Sequence, residues 1–368
     1  MLTSYANIVS TPQCGLMDTI RILGGGISGL TAAINLQKAG FDVEVHERKD
    51  YCGKDTNDFQ FLENWIFHEN VLDFLRKINI RTDFYIKPWY SLEILSPSLR
   101  EYIGGSTEPF IYLVKRGQAK DSIDKSLETQ ALNNKIKILY NSHLEPHEAD
   151  IIATGPKKPD WVATGIKFRC KYPDKAVVLL NNDLSFQIYS YLIVSDNVGQ
   201  IACVNPFGTK NIKARLSLTI KNFREKYNIE IKSIMERVIG TVNIHYLNKA
   251  KINNQYLIGE AAGFQDCLAG FGMTYAFKSG YYAAKSIIGN LDYDRLWKGD
   301  FLKQLRISSR NRALYERLSN ERFEKLINIL NSKNFMITRL IGSKDLQHIL
   351  RNLYHNSLPL PLRPLIFW

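Results

Sequence analysis

Cysteine is scarce in this chain of 368 residues. Cys14, Cys52, Cys170, Cys203 and Cys267 are scattered, odd in number and never spaced CxxC. That argues against a zinc ribbon and a disulfide framework, and it favours a reducing, cytoplasmic setting. Long apolar runs are also missing. None reaches the ~18–20 uninterrupted residues that a membrane span needs. The opening MLTSYANIVSTPQCGLMD lacks the basic-then-apolar order of a secretory signal. Residues 1–17 are therefore expected as a disordered extension, with Met17 as an alternative start. There is no internal repeat, no low-complexity tract and no Ser-His-Asp context. His143 and His147 stand four apart, but Pro146 between them disfavours a helix. Both are expected at the surface, and no metal site is expected. Acidic residues are in deficit, 36 against 48 Lys+Arg, for a net charge of +12. Such a surface favours anionic partners without choosing among nucleic acid, lipid and a phosphorylated cofactor.

What is present is a chain that folds. Hydrophobic residues make up 45% and charged residues 23%, both ordinary for a packed protein. Thr19 to Leu23 (TIRIL) predicts a short buried strand. GGGISGLTAAINLQKAG follows, with Leu30, Ala33, Ile34 and Leu36 at helical spacing and Gly40 to end the helix. FDVEVHE predicts a second strand. Gly24, Gly26 and Gly29 stand in GxGxxG register inside this strand–turn–helix–strand unit. Gly24 permits the tight turn, Gly26 lets a pyrophosphate approach the backbone, and Gly29 lets the helix pack on the sheet. The free N–H groups of the helix N-terminus face the phosphates. Glu47 ends the second strand, where a carboxylate accepts hydrogen bonds from ribose hydroxyls and disfavours a 2′-phosphate. Arg48 has two readings, stacking on adenine or facing water. At this point NAD and FAD both remain open.

Two distant segments bear on the cofactor. ADIIATG (residues 149–155) is a strand ending in a glycine turn. NQYLIGEAAGFQDCLAGFGMTYAFKS (residues 254–279) holds a strand at Tyr256 to Ile258, a turn at Gly259-Glu260, then Gly270 and Gly272 ahead of a helix. A glycine turn opening a helix again offers N–H groups to an anionic or carbonyl acceptor.

Taken together, GGGISG with Glu47, then ATG, then GEAAG…AGFGM, resembles the motif order of FAD-dependent oxidoreductases of the glutathione-reductase type. Within them the chain is similar to the geranylgeranyl reductase family of the p-hydroxybenzoate hydroxylase-like superfamily. The resemblance spans Thr19 to about Ile288. It includes YLVKRGQAKDSIDKSLETQA, with Arg116 at that family's arginine. It implies FAD as cofactor. Gly24, Gly26, Ile27, Ser28 and Gly29 would cradle the pyrophosphate, with Glu47 on the adenosine ribose and Arg48 beside it. Thr154 and Gly155 would lie by the adenosine half. Gly259 and Glu260 would reach the ribityl or pyrophosphate region. Gly270, Gly272 and Met273 would turn backbone N–H groups toward the flavin N1/O2 edge, where reduced flavin carries negative charge. Departures bear on the substrate. Glu260 stands where the family usually has Asp, and Cys267 replaces a proline. Tyr189-Ser-Tyr191 keeps an aromatic pair, Ile193-Val194 replaces Phe-Pro, and only Gly199 remains of a glycine pair.

Between the two halves, IKFRC, AVVLL, SFQIYSYLIVS and GQIACV alternate with turn residues and predict an inserted antiparallel sheet. Leu216 to Arg237 reads as a helix. Phe186, Tyr189, Tyr191 and Cys267 are candidates to line a substrate pocket, although core packing explains the aromatics equally well. For Cys267, a small buried thiol filling a gap is the expected reading. From Arg295 to Arg351 there are 13 Lys+Arg and 5 Asp+Glu. Leu314, Leu318, Phe323, Leu326 and Leu330, then Met336, Leu340, Ile349 and Leu353, recur at helical spacing. These are expected as packed helices with a solvated basic face. The sharper alternative is peripheral contact with an anionic membrane, to which the tail LPLPLRPLIFW would add an apolar touch.

The expected fold class is α/β: a Rossmann-like FAD-binding domain with an inserted antiparallel β-sheet substrate domain and C-terminal helices. The expected boundaries are 18–160 and 251–290 for the two parts of the FAD-binding domain, 161–250 for the insertion and 291–368 for the helices. The leading expectation for function is reduction of a double bond in an isoprenoid or other hydrophobic small molecule or lipid. The electron donor would be a reduced nicotinamide or ferredoxin. The alternatives are a flavin monooxygenase or oxidase, and a non-catalytic flavoprotein. Nucleic acid is not an expected partner. No residue declares itself as the catalytic acid.

Overall fold

The computed structural model describes residues 19–156, 158–332 and 345–355. The expected extension 1–17, Cys14, Met336, Leu340 and the LPLPLRPLIFW tail lie outside the described residues.

Among these residues the helices are α1 (Ile27–Lys38), α2 (Val71–Lys77), α3 (Ile123–Asn133), α4 (Ile212–Tyr227), α5 (Met273–Gly289), α6 (Tyr293–Tyr315), α7 (Asn320–Asn331) and α8 (Leu346–His355). A six-stranded sheet takes its strands in the order 251–252, 255–257, 151–152, 20–23, 43–46, 137–139. From 255–257 onward its neighbours run parallel. In the first strand Ile22 and Leu23 are buried, as a covered parallel strand requires, while Arg21 near its start is exposed. Helix α1 crosses α5 closely. A Cβ on Gly280 would lie 2.3 Å from Ser28 O. Tyr256 pairs with Ile151, so the second half of this domain joins the first along a shared strand edge.

The second layer is a seven-stranded sheet in the order 233–242, 161–169, 198–206, 190–195, 175–179, 91–95, 101–105. Two corrections follow. Residues 233–237, expected as the end of a helix, instead open a strand, Ser233–Val242, paired with 161–169. Asn228, in the left-handed conformation (φ 51°), ends α4. The β-branched run VIGTV beyond it suits a pleated edge. In addition, the sheet is not a single insertion over 161–250. Strands Ser91–Leu95 and Glu101–Gly105 come from inside the expected first FAD-binding part and complete its far side. Strands Phe59–Glu63, Ile111–Lys115 and Ile86–Trp89 form a small third sheet between the two layers. Gln200 ties it to the large sheet. Its Oε1 accepts from Phe59 N (2.7 Å) and its Nε2 donates to Phe59 O (3.0 Å).

No described helix is long and apolar enough to cross a membrane.

Candidate functional site: a cleft from the glycine turn to the C-terminal helices

Helices α2, α3, α6 and α7 each have a side-chain cap, from Asn70, Ser122, Asp292 and Ser319 respectively. The residues before α1, α4 and α5 supply none, and at α5 Glu63 from a distant strand takes one of the free N–H groups. The two of these that matter here are α1 and α5. Both begin in a glycine, Gly26 and Gly272, on one cleft of about 1980 Å³. The first intrahelical bond of α1 is Leu30 N to Gly26 O (2.9 Å). The N–H groups ahead of Leu30 therefore have no intrahelical acceptor, although Ile27 and Ser28 are each only 6% exposed. A buried, uncapped helix start requires an acceptor from elsewhere, and an anion meets that requirement.

The glycines divide by what surrounds them. A Cβ on Gly24 (φ 111°) would lie 2.5 Å from Ala153 O, and one on Gly29 would lie 2.1 Å from Gly24 O. Those two let strand, turn and helix touch. A Cβ on Gly26 would meet nothing within 4 Å and would project into open space at the cleft. Gly24, Gly26, Ile27 and Ser28 line the cleft, whereas Gly29 and Gly259 sit behind its surface. Gly259 donates to Ser279 Oγ (2.9 Å), and a Cβ on it would come within 2.7 Å of Ser28 Oγ.

Glu47 is held in place by backbone. Its Oε2 accepts from Gly25 N (2.8 Å) and its Oε1 from Lys49 N (3.1 Å). Arg48 is exposed and lines the cleft, as do His143, Thr154 and Gly155. His143 and His147 are both exposed. Arg116 lines the cleft floor. Its Nε and Nη2 donate to Asp124 (2.8 and 2.9 Å) and its Nη1 to Gln60 Oε1 (2.9 Å). A guanidinium has five N–H donors, so two remain for a ligand. Glu260 lines the cleft, but its carboxylate accepts no hydrogen bond from the described residues. Burial pushes its carboxyl up to about 7, against the opposing charges of Arg116 and Lys54. A carboxyl on the cleft with no hydrogen-bond partner of its own suits the hydroxyl-bearing part of a dinucleotide.

At α5 the sequence reading missed the residues that shape the turn. Asp266 is fully buried. It accepts from Leu268 N (3.1 Å), Ala269 N (2.7 Å) and the Tyr354 hydroxyl (2.9 Å). Gln265 Nε2 donates to Gly270 O (2.5 Å). Glu63, 1% exposed, accepts from Thr274 N (2.9 Å) through Oε1. Burial raises its carboxyl to about 7, and Oε2 has no partner. An Asp two and three residues ahead of the N–H groups it accepts is an Asx turn, a signal legible as Asp266-x-x-x-Gly270. Nothing local announces Glu63, which arrives from a strand 211 positions away.

The remaining candidates separate. Tyr189 and Tyr191 line the cleft, and Tyr189 donates its hydroxyl to Ala269 O (2.6 Å). Phe186 does not line it. It is 46% exposed on a turn whose N–H is held by Asn205 Oδ1 (3.2 Å). Cys267 is 2% exposed and points away from the cleft, its thiol donating to Ile244 O (3.1 Å). Burial, chiefly, pushes that thiol up to about 12. It therefore has neither access nor thiolate character. Trp65 was not singled out. It packs edge-on to Phe271 (4.9 Å) on the cleft wall. Beyond the tyrosines the wall turns apolar. Ile94, Phe110 and Val178 line it together with Leu326, Leu350 and Leu353 of the C-terminal helices.

A family model described as an NAD(P)-binding Rossmann-like domain matches residues 22–76. Across 112 residues the chain is 30% identical to an uncharacterized protein of Methanocaldococcus jannaschii; the match covers 28% of this chain and 29% of that relative's length. A geranylgeranyl bacteriochlorophyll reductase-like protein from Thermoplasma acidophilum superposes with a TM-score of 0.71, covering 95% of this chain and 99% of that one at 18% identity. The chain has the fold of flavin-dependent oxidoreductases. A flavoprotein/dehydrogenase from Cytophaga hutchinsonii shares that fold at a TM-score of 0.62 and 14% identity, over 92% of each chain. So does a probable FAD-dependent monooxygenase from Pseudomonas aeruginosa, at 0.57 and 13%, over 84% of this chain and 99% of that one.

Proposed function

We propose that the chain is an FAD-dependent oxidoreductase that reduces a double bond in a hydrophobic substrate. One observation carries this reading: a single cleft joins the uncapped start of α1, the glycine turn that opens α5 and an apolar wall. The start of α1 and Arg116 would hold the pyrophosphate, Glu47 the ribose, and Gly272 and Met273 the edge of the flavin ring. Bound there, FAD supplies two-electron hydride chemistry. The protein's part is to orient the ring, place N–H dipoles where negative charge develops, and keep water from the apolar half.

The apolar wall supports a lipid or isoprenoid-like substrate. A reduced nicotinamide or ferredoxin would supply the electrons. Contact of the basic C-terminal region with an anionic membrane would bring such a substrate within reach. A second reading, oxygen-dependent chemistry, draws on the shared fold with a flavin-dependent brominase and a probable monooxygenase. Against it stands ATG at 153–155, where pyridine-nucleotide-dependent hydroxylases usually carry Asp-Gly.

Purified protein should carry flavin absorbance. After anaerobic reduction with dithionite, it should be reoxidised by a hydrophobic alkene, and the product should gain two hydrogens. A product gaining one oxygen atom in air would establish the second reading. Protein that folds but takes up no FAD would refute both.

A further inference from the structure

The strand Ser190–Ser195 turns alternate side chains to opposite faces. Ser190, Leu192 and Val194 are buried on one side, while Tyr189, Tyr191 and Ile193 face the cleft. The two tyrosines differ in what their hydroxyls do. Tyr189 spends its proton on Ala269 O (2.6 Å). The Tyr191 hydroxyl instead accepts a hydrogen bond, from Gln200 Nε2 (3.1 Å), and its own proton has no acceptor among the described residues. Gln200 cannot drift from this task, because the same amide is bonded to both the N–H and C=O of Phe59. The hydroxyl is therefore fixed by a donor, which leaves its O–H for the cleft. The rings lie 6.3 Å apart, so Tyr191 sits one strand pair along from the tyrosine that touches the glycine turn of α5.

We propose that Tyr191 is the proton donor of the reaction, and that the alkene it serves is conjugated to a carbonyl group. This rests on the reductase reading above. Burial and, next to it, the charge of Asp58 hold the hydroxyl in its protonated form far above neutral pH. The acid strength selects the substrate. A phenol, with an ordinary pKa of about 10 that is raised further at Tyr191, is too weak to protonate an isolated alkene, which would have to become a carbocation. It is strong enough to protonate the carbon of an enolate. In an enone, the β-carbon accepts a hydride from the reduced cofactor and a C–H bond forms there. The alkene electron pair moves onto the carbonyl, giving the enolate. The α-carbon then takes the Tyr191 proton as the O–H bond breaks. The substrate has gained two electrons and two hydrogens, the cofactor is oxidised by two electrons, and the tyrosinate is reprotonated from water. Gln200, as an N–H donor, stabilises that tyrosinate while it lasts.

The test uses dithionite-reduced holoprotein and two probes of equal chain length, an alkyl enone and the matching isolated alkene. The enone should reoxidise the flavin and the isolated alkene should not. In D2O the α-carbon should take up deuterium. Tyr191→Phe should slow reoxidation by the enone about 100-fold, within the range of about 10²–10⁴ for loss of a positioned acid. Its flavin spectrum and its calorimetric affinity for the saturated ketone should stay unchanged. Enone turnover undiminished in Tyr191→Phe, or equal turnover of the isolated alkene, overturns the assignment while leaving the reductase reading intact. Reoxidation by neither probe, with FAD bound, overturns both.

Discussion

At the nucleotide end of the cleft, the critical spaces are set by backbone: Ala153 O against Gly24, and Gly24 O against Gly29. At the other end, side chains from the large sheet, the small sheet and helices α7 and α8 make the wall. The first kind of surface has almost no tolerance, because a carbonyl oxygen cannot step aside. The second can be repacked, since apolar side chains of similar size exchange at modest cost. A fold can therefore keep its cofactor cradle while its substrate wall changes freely.

The sharpest way to break that contrast is a pair of glycine variants. Gly29→Val places a Cβ 2.1 Å from a backbone oxygen and should prevent folding, a loss above about 4 kcal/mol. Gly26→Val meets nothing in the protein, so it should melt close to wild type yet lose FAD by at least about 100-fold, equivalent to about 2.8 kcal/mol. Thermal melting and flavin fluorescence separate the two. Similar behaviour of both variants would erase the distinction between packing glycines and contact glycines.

Glu63 lies behind the start of α5, and its effect should depend on pH. Its carboxyl is raised in the folded protein from 4.5 to about 7, so the folded state resists ionisation. The favourable contribution is complete below about pH 4.5 and is lost as pH rises through about 7. Glu63→Gln keeps an oxygen for Thr274 N and removes the titration. Relative to wild type, the variant should gain stability between pH 5 and pH 8, by about 1–3 kcal/mol. A difference that does not change with pH would show that Glu63 is not buried as described.

Smaller effects are expected at Glu47 and Cys267. Glu47→Gln retains one acceptor for either Gly25 N or Lys49 N and sets an amide donor against the other, which should weaken FAD about tenfold, or about 1.4 kcal/mol. Titration of apoprotein with FAD measures it, and a loss equal to that of Gly26→Val would give Glu47 a further role. Cys267→Ser can still donate to Ile244 O and should leave flavin reduction and reoxidation nearly unchanged by stopped-flow absorbance. A large loss of turnover with FAD retained would put the thiol back in the chemistry.

The same contrast explains what was legible in the sequence. Backbone crowding leaves a mark at the position where it acts, because only glycine fits, so the turn at Gly24–Gly29 and its partner strand at 151–152 were readable. A side-chain wall leaves no such mark. Trp65, Phe110 and Leu350 look like any core residue until three sheets and a helix bring them to one surface. The first half of the strand 233–242 was misread as helix because its apolar spacing fits either period, and its pairing with Trp161–Arg169 decides the matter. The place of Ser91–Leu95 beside Lys175–Leu179 depends on a parallel pairing across about 80 residues, beyond the reach of local pattern.

The close crossing of α1 and α5 also has a consequence for biosynthesis. Helix α1 emerges from the ribosome long before Gly280 exists to receive Ser28 O. At about 5–20 residues per second, the interval is roughly 10–50 s. Throughout it, the buried Ser28 and Thr31 of α1, which meet Gly280, lack part of their final cover. The nascent chain is thus committed to a long exposure before its nucleotide domain can close, and chaperone occupancy during translation should peak after residue 46 and fall once residue 289 has cleared the exit tunnel.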